Sequence, residues 1–484
     1  MRLVYSLLLI CVSLSLHAQA LQEFVENKLQ SPVLQGALWG GMAVYTDTDA
    51  ALLFARNENI RLTPASTLKL LTTAAALETF GPHYRFETNL YLQGTPDENG
   101  TLNGSVYIQG GGDMTLGSTR VVGAETWQAV ARRWANSVKQ AGVHQINGDL
   151  IADVSLFEGP TIAPKVNWEN MGNYFAAPAS ALSFNDNSFE IHFKPQTRAN
   201  APVTVAYTVP DLPQIQLESF VTTDGKSKKD NAYVYGAPGQ YELKIFGTIP
   251  INAKGFSIKA ALPDPALFTL QALRQALQEQ GITVTGELKT MTTAPDYQTM
   301  MRLDKYLSPE LKDIVLIVNK RSFNLYADML LRQLAVHAGQ KGSIENGLAQ
   351  LKNFLTAHHI AGPNDVVLHD GSGLARDNLV TPRVLAATLN YMTKSPHFTY
   401  YYNSLATPDD RGDLLLLRRY LQPQKRIGDV RVKGGTIDSV KAAAGYVRDK
   451  DGRLISFVFM ANNLAKTDES LFRIHEAILK ELLQ

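Results

Sequence analysis

The stretch "TPASTLKLLTTAAALETFG", Thr63 to Gly81, decides how this chain is read. Its apolar run predicts a buried helix, with Thr63 as N-cap, Pro64 at the first helical position and Gly81 as the stop. Core packing asks for neither Ser66 nor Lys69. On a helix, residues i and i+3 share a face, so these two side chains can touch. They are either a polar helix start of no chemical consequence, or a nucleophile and its base. A serine hydroxyl attacks only when a base takes its proton. A lysine serves as that base only if burial or nearby positive charge brings its pKa well below about 10. Exposed N–H groups in a first helical turn favour developing negative charge. Ser-x-x-Lys arises by chance about once or twice in a chain this long, so alone it leaves the choice open.

On either side of this helix the texture of the chain changes. Leu21 to Gln30 reads as a short amphipathic helix, and "GMAVYTDTDAALLFARN" (Gly41 to Asn57) as a hairpin around an Asp/Thr turn. From Arg85, short strands alternate with Gly/Asn turns, with one helix at "AETWQAVARRWANSVKQAGV". Asn187 to Phe256 is strand-like throughout. "PDPALFTLQALRQALQEQGITVTGEL" gives a helix and a closing strand, and no internal repeat is expected. From Ser308 helical periodicity returns. The last part predicts three strands, "DVRVKGGTI", "VKAAAGYVRD" and "GRLISFVFMANN", then a terminal amphipathic helix. Strand-and-helix pieces at both ends enclose a β-rich middle. The economical reading is one α/β domain built from both ends and interrupted by inserted β-rich material.

With 484 residues, the chain is too long for one core; 45% hydrophobic and 19% charged residues mark it as globular. "MRLVYSLLLICVSLSLHAQA" has one arginine, an apolar run and an A-x-A end, the order of a secretory signal cut between Ala20 and Leu21. The run is too short to span a bilayer, and no membrane span is expected after cleavage. Cys11, the only cysteine, leaves with it, which excludes disulfides, thiolate catalysis and cysteine metal sites. Loss of Arg2 takes the formal charge from +1 to 0, and no polybasic run speaks for nucleic acid. Export to the periplasm or cell exterior is expected.

Two further motifs bear on Ser66. Ser-x-Asn occurs as Ser183-Phe184-Asn185 and as Ser322-Phe323-Asn324. Residues two apart do not share a helix face, so a working pair belongs in a turn. The second copy lies between two predicted helices. A Lys-Ser/Thr-Gly strand should follow, offering a cation and an open backbone edge; the nearest match is Lys433-Gly434-Gly435-Thr436. Each motif is weak, but their order and placement are not.

In this order the motifs resemble those of serine penicillin-recognising enzymes. The chain resembles their class C low-molecular-mass members, the D-alanyl-D-alanine carboxypeptidase/endopeptidases of peptidase family S13, over nearly all of the mature sequence. "GGGDMTL" (Gly110 to Leu116), "SALSFNDN" (Ser180 to Asn187) and "DGSGLARDNLVTP" (Asp370 to Pro382) carry the likeness, the last most specifically. The 256 residues between Ser66 and Ser322 fit a family that inserts two domains there. The resemblance implies a β-lactamase/transpeptidase-like domain (21–84 and 293–484). An inserted domain II (85–186 and 257–292) would hold a nested domain III (187–256). It implies that Ser66 attacks the penultimate D-alanine carbonyl and forms an acyl-enzyme, with Lys69 as base. Ser322 relays a proton to the leaving amine, and Asn324 holds the substrate amide and Lys69. Lys433 steadies the terminal carboxylate, and the N–H groups of Ser66 and Thr436 form the oxyanion hole. Peptidoglycan stem peptides would be the substrates and β-lactams covalent inhibitors, with neither metal nor cofactor.

Three departures stand out. Lys-Thr-Gly reads Lys433-Gly434-Gly435, so a hydroxyl is missing at 434; a threonine there is expected to raise kcat/KM about tenfold, unless φ is positive. The family's Trp-x-Asp reads Trp168-Glu169-Asn170, making Glu169 and Asn170, with Asp113, candidates for substrate recognition in the insertion. The family's Gly-Thr-Leu reads Gly412-Asp413-Leu414. Asp113 serves equally well as a turn former. Gly371-Ser372-Gly373 lacks the outer glycines of a hydrolase elbow, and no His pair extends to a zinc motif. A β-lactamase on the same machinery lacks an obvious deacylating carboxylate motif. A non-catalytic peptidoglycan-binding scaffold is the other alternative, kept open by Lys-Gly-Gly.

Overall fold

The computed structural model describes residues 18–47, 51–194, 196–226, 230–252, 254–466 and 469–484. The expected signal segment up to residue 17, with Cys11, lies outside them. The chain folds into two compact units. The first comprises residues up to Pro82 with Val315–Phe323 and Leu348–Gln484; the second comprises His83–Ile314 and Asn324–Gly347.

In the first unit, five antiparallel strands run in the order Val430–Ile437, Val440–Arg448, Leu454–Asn462, Leu38–Tyr45, Leu52–Arg56. The two ends of the chain thus meet in one sheet, as the sequence predicted. The turn after Arg448 is set by Asp449, whose Oδ1 accepts the Asp451 and Arg453 N–H groups, with Gly452 at φ +82°. Val440–Val447 are buried without alternation, because helices cover both faces of the sheet. On one face, Leu471, Ile474 and Ile478 of the terminal helix and Leu21 and Val25 of the helix over residues 18–29 share a core with Trp39, Phe54 and Phe459. The helix Lys69–Phe80 belongs to the same unit. Its residues 69–77 are all buried, as expected for a helix apolar on every side.

The start of that helix differs from the expected cap. The chain enters through a 3-10 turn, Ala65–Leu68, and Lys69 is the first α-helical residue. Thr63 does not cap. Its N–H donates to Asn462 Oδ1 at 2.8 Å and its hydroxyl to the Arg376 carbonyl at 3.2 Å. Tertiary anchoring competes for the groups that a cap would use. Gly81 ends the helix at φ 75°, as predicted.

The second unit corrects the expectation of no repeat. Leu102, Ile146 and Val284 lie side by side on parallel strands, and so do Val106, Leu150 and Leu288. Between them Gly104, Gly148 and Gly286 stack. A Cβ on Gly148 would sit 2.5 Å from the Gly104 carbonyl carbon, and one on Gly286 equally close to that of Gly148. Asn103-Gly104, Asn147-Gly148 and Thr285-Gly286 are therefore three copies of one short strand–glycine–strand pattern. They escape notice because only the glycine and the apolar spacing recur. The helices Trp127–Gln140 and Pro265–Glu279 lie between successive copies, as parallel pairing requires. Two three-stranded sheets, Gln216–Asp224 with its neighbours and Ser188–Phe193 with its neighbours, make up the strand-rich stretch 188–261.

Candidate active site

Ser66 lies on the 3-10 turn, where residues i and i+3 eclipse. Lys69 Nζ donates to Ser66 Oγ at 2.9 Å and to the Ser372 carbonyl at 2.6 Å. Lys69 is fully buried, whereas Ser66 keeps partial access to solvent. Ala65, immediately before, has φ +46°. An alanine in that region is uncommon and strained, and such strain collects at functional sites.

The segment Asp370–Asn378, which bears the most specific family likeness, holds this turn in place. Asp370 is buried; its Oδ1 accepts the Gly373 N–H (2.7 Å) and the Asn378 amide (2.8 Å), and its Oδ2 the Ala375 N–H (2.6 Å). That loop presents the Ser372 carbonyl to Lys69 and the Gly371 carbonyl to the Thr72 hydroxyl (2.7 Å). Gly373, at φ +79°, lies so close that a Cβ would come within 2.5 Å of the Ala65 carbonyl carbon.

Ser322 follows the helix Leu311–Lys320 and has φ +58°, a second strained non-glycine residue. Lys433 Nζ donates to Ser322 Oγ at 2.8 Å and to the Gly434 carbonyl at 2.7 Å. Burial holds the Lys433 ammonium well below the usual lysine range, and the charges of Lys69, Arg411 and Lys441 push the same way. On the same edge strand, Gly435 backs onto the Ser66 turn. A Cβ there would lie 2.8 Å from both the Pro64 carbonyl oxygen and the Ser66 nitrogen. Only glycine permits this approach, which sets the strand beside the Ser66 N–H. Thr436 is exposed, and its hydroxyl accepts from Lys441 Nζ at 2.8 Å.

Gly434 is not in the left-handed region, so backbone strain does not exclude a side chain there. The obstacle is the Arg411 guanidinium, whose Cζ lies 2.6 Å from where a Cβ would be. The expected gain from a threonine therefore depends on displacing this flexible side chain, which fills the space at 434.

Four candidates belong to the second unit. Asn324 opens the helix Asn324–His337 and donates its side-chain amide to the Phe175 carbonyl at 2.7 Å. Glu169 and Asn170 lie on a 3-10 turn, Trp168–Asn170, whose Glu169 carbonyl accepts from Asn173 Nδ2 at 3.0 Å; their side chains are partly exposed. Asp113 is 1% exposed, and its Oδ1 accepts the Thr115 N–H and hydroxyl, both at 2.7 Å. Burial raises its pKa to about 6.

The structure brings Ser66, Lys69, Ser322, Lys433, Gly434 and Thr436 together in the first unit. Sequence reasoning missed Arg411 and Lys441. Arg411 stands next to the altered Gly-Thr-Leu segment, and it meets the altered Gly434, 23 residues on, in space. No signal pointed to Lys441, which is a cross-strand neighbour of Thr436. No group of three or more metal-ligating side chains occurs among the described residues.

This geometry has relatives. The D-Ala-D-Ala carboxypeptidase 3 (S13) family matches residues 21–480. A D-alanyl-D-alanine carboxypeptidase of Actinomadura sp. (strain R39) is 28% identical over 443 residues, covering 90% of this chain and 79% of its own length. The crystal structure of penicillin binding protein 4 (dacB) from Haemophilus influenzae aligns with a TM-score of 0.80 at 23% identity, covering 95% of this chain and 99% of the other. The same Haemophilus protein complexed with a novel β-lactam aligns at 0.74 and 22%, with the same coverage. The likeness to the two crystal structures is one of fold, a mixed α/β architecture with antiparallel sheets. The family match spans nearly the whole sequence, and this protein therefore belongs to the D-Ala-D-Ala carboxypeptidase 3 (S13) family of serine hydrolases.

Proposed function

We propose that the family's D-Ala-D-Ala peptidase reaction runs here through Ser66, on peptidoglycan stem peptides and cross-links. Ser66 Oγ attacks the carbonyl of the penultimate D-alanine while Lys69 takes its proton. The C–N bond breaks, and the departing amine receives a proton through Ser322, which Lys433 holds. Water then hydrolyses the Ser66 ester and restores the hydroxyl. The N–H groups of Ser66 and Thr436 serve the oxyanion. Asn324 binds the substrate amide, by its place in the Ser-x-Asn motif. The observation that carries this reading is the 2.9 Å bond from the buried Lys69 to the accessible Ser66 hydroxyl. The second lysine–serine pair, Lys433 and Ser322 at 2.8 Å, supports it. The experiment is to incubate the protein with a synthetic peptide ending in D-alanyl-D-alanine and measure free D-alanine. Release by the wild type and none by Ser66→Ala is expected. Equal release by both excludes Ser66.

β-Lactams acylate the same serine in this reading, supported by the β-lactam complex of the Haemophilus relative. The protein is exported, with a signal cut after Ala20; the family match beginning at residue 21 agrees with this. N-terminal sequencing of the exported protein checks it, and a retained Met1 contradicts it. The interruption of the catalytic domain comprises domain II and a nested domain III, whose two small sheets run to Ala261, beyond the expected boundary at 256.

A further inference from the structure

We infer that Arg411 is a specificity-determining residue: its guanidinium takes the place of the hydroxyl missing at Gly434 and binds the C-terminal carboxylate of the substrate. This rests on the reading of Ser66 as nucleophile. Residues 434 and 436 point to the same side of their strand. Thr436 is exposed on that side, next to the turn that carries Ser66. Position 434 has no side chain, yet its space is not open: the guanidinium nitrogens of Arg411 stand where a Cβ would be, with Cζ 2.6 Å from it. Arg411 is half-buried and comes from a separate segment, just before the 3-10 turn Gly412–Leu414.

The chemistry suits an anion. Arg411 contributes to the positive field at Lys433, together with Lys69 and Lys441. Lys433 and Lys441 donate to Ser322 and Thr436, so these ammonium groups are tied to hydroxyls. A guanidinium adds a planar fork that matches a carboxylate with two parallel hydrogen bonds. A hydroxyl gives one neutral bond. Exchanging Thr for Gly at 434 and bringing Arg411 over it thus replaces a weak carboxylate contact by a charge-assisted one. The consequence is selectivity. A free C-terminal carboxylate accepts two charge-assisted hydrogen bonds from the guanidinium, which a neutral C-terminus does not match.

The test uses the full mature protein and two peptides that differ only at the last group, a D-alanyl-D-alanine acid and its amide. Arg411→Gln is expected to lower the ratio of kcat/KM for acid over amide by tenfold or more, chiefly through the acid's KM. Arg411→Lys should recover part of the ratio. Gly434→Thr gives a second readout with a change of sign. In the wild-type background it displaces the guanidinium and lowers activity on the acid. In the Arg411→Gln background it restores a hydroxyl and raises it. An unchanged acid-to-amide ratio overturns the proposal, as does equal loss on both peptides. If the amide is inert throughout, the change of sign decides, and its absence overturns the proposal. Labelling by a fluorescent penicillin, run in parallel, separates the two levels. Absence of label in the wild type counts against Ser66 itself; label with an unmoved selectivity counts against Arg411 alone.

Discussion

Lys433 donates its buried ammonium to the hydroxyl of Ser322 at 2.8 Å, across 111 residues of sequence. The bond joins an edge strand to a residue held at φ +58° after a helix. Each partner is unfavourable for stability alone: one is a buried cation among cations, the other a strained backbone.

Lys433→Met should therefore lose D-alanine release yet fold more stably. The sign follows from the depressed pKa. Between the folded pKa and the usual 10.5, the unfolded chain binds the proton and the folded chain does not, so stability rises with pH across that window. At pH 7 the variant is expected to gain about 1–3 kcal/mol, with a smaller gain at pH 10. Thermal unfolding at both values checks this; a variant less stable at pH 7 contradicts it.

Asp370→Ala removes three accepted hydrogen bonds in a buried loop. A loss of about 3–5 kcal/mol is expected. Because the loop presents the Ser372 carbonyl to Lys69, penicillin labelling should slow as well. Asp370→Asn keeps part of the acceptor set and should lose less. Denaturant unfolding with labelling time courses tests both; labelling at the wild-type rate in the alanine variant shows that the carbonyl is not needed.

Gly373→Ala and Gly281→Ala make a controlled pair. Both glycines have φ +79°, but a Cβ at 281 meets nothing within 4 Å, while one at 373 runs into the Ala65 backbone. The first change should destabilise by at least about 2 kcal/mol and impair labelling; the second should lose about 1 kcal/mol and leave labelling alone. Equal effects would assign everything to backbone strain.

Asp113 gives a pH signature of opposite sign. Its carboxyl titrates at about 6 in the fold and near 3.8 when unfolded. Between these values the folded chain binds more protons, so this group's contribution to stability falls as pH rises. Relative to wild type, Asp113→Asn should be more stable at pH 7.5 than at pH 4, by on the order of 2–3 kcal/mol. Stability differences at the two pH values decide; no change in the difference contradicts it.

Much of this was legible in the sequence. The strands around Lys433 and the hairpin 41–57 are alternating or continuous apolar runs, and a helix apolar on every side can only be a central one. Ser66 and Lys69 announce themselves as polar residues where the core wants none, and Ser322 and Lys433 by the order of their motifs. What stayed hidden depends on contacts between distant segments. Thr63 looks like a cap until Asn462 and Arg376 claim its groups. Gly434 looks like a loss until Arg411 is seen over it. The triplicate strand pattern in the second unit rests on stacked glycines, and a glycine alone does not reveal its neighbour.

Mapping the penicillin adduct tests the central claim most directly. The protein is incubated with penicillin, denatured and digested with trypsin, and the peptide 62–69, which carries Ser66 and ends at Lys69, is weighed. The account predicts that this peptide gains one penicilloyl mass in the wild type and none in Ser66→Ala, with no adduct elsewhere. An adduct on another serine, or one that persists in the variant, contradicts it.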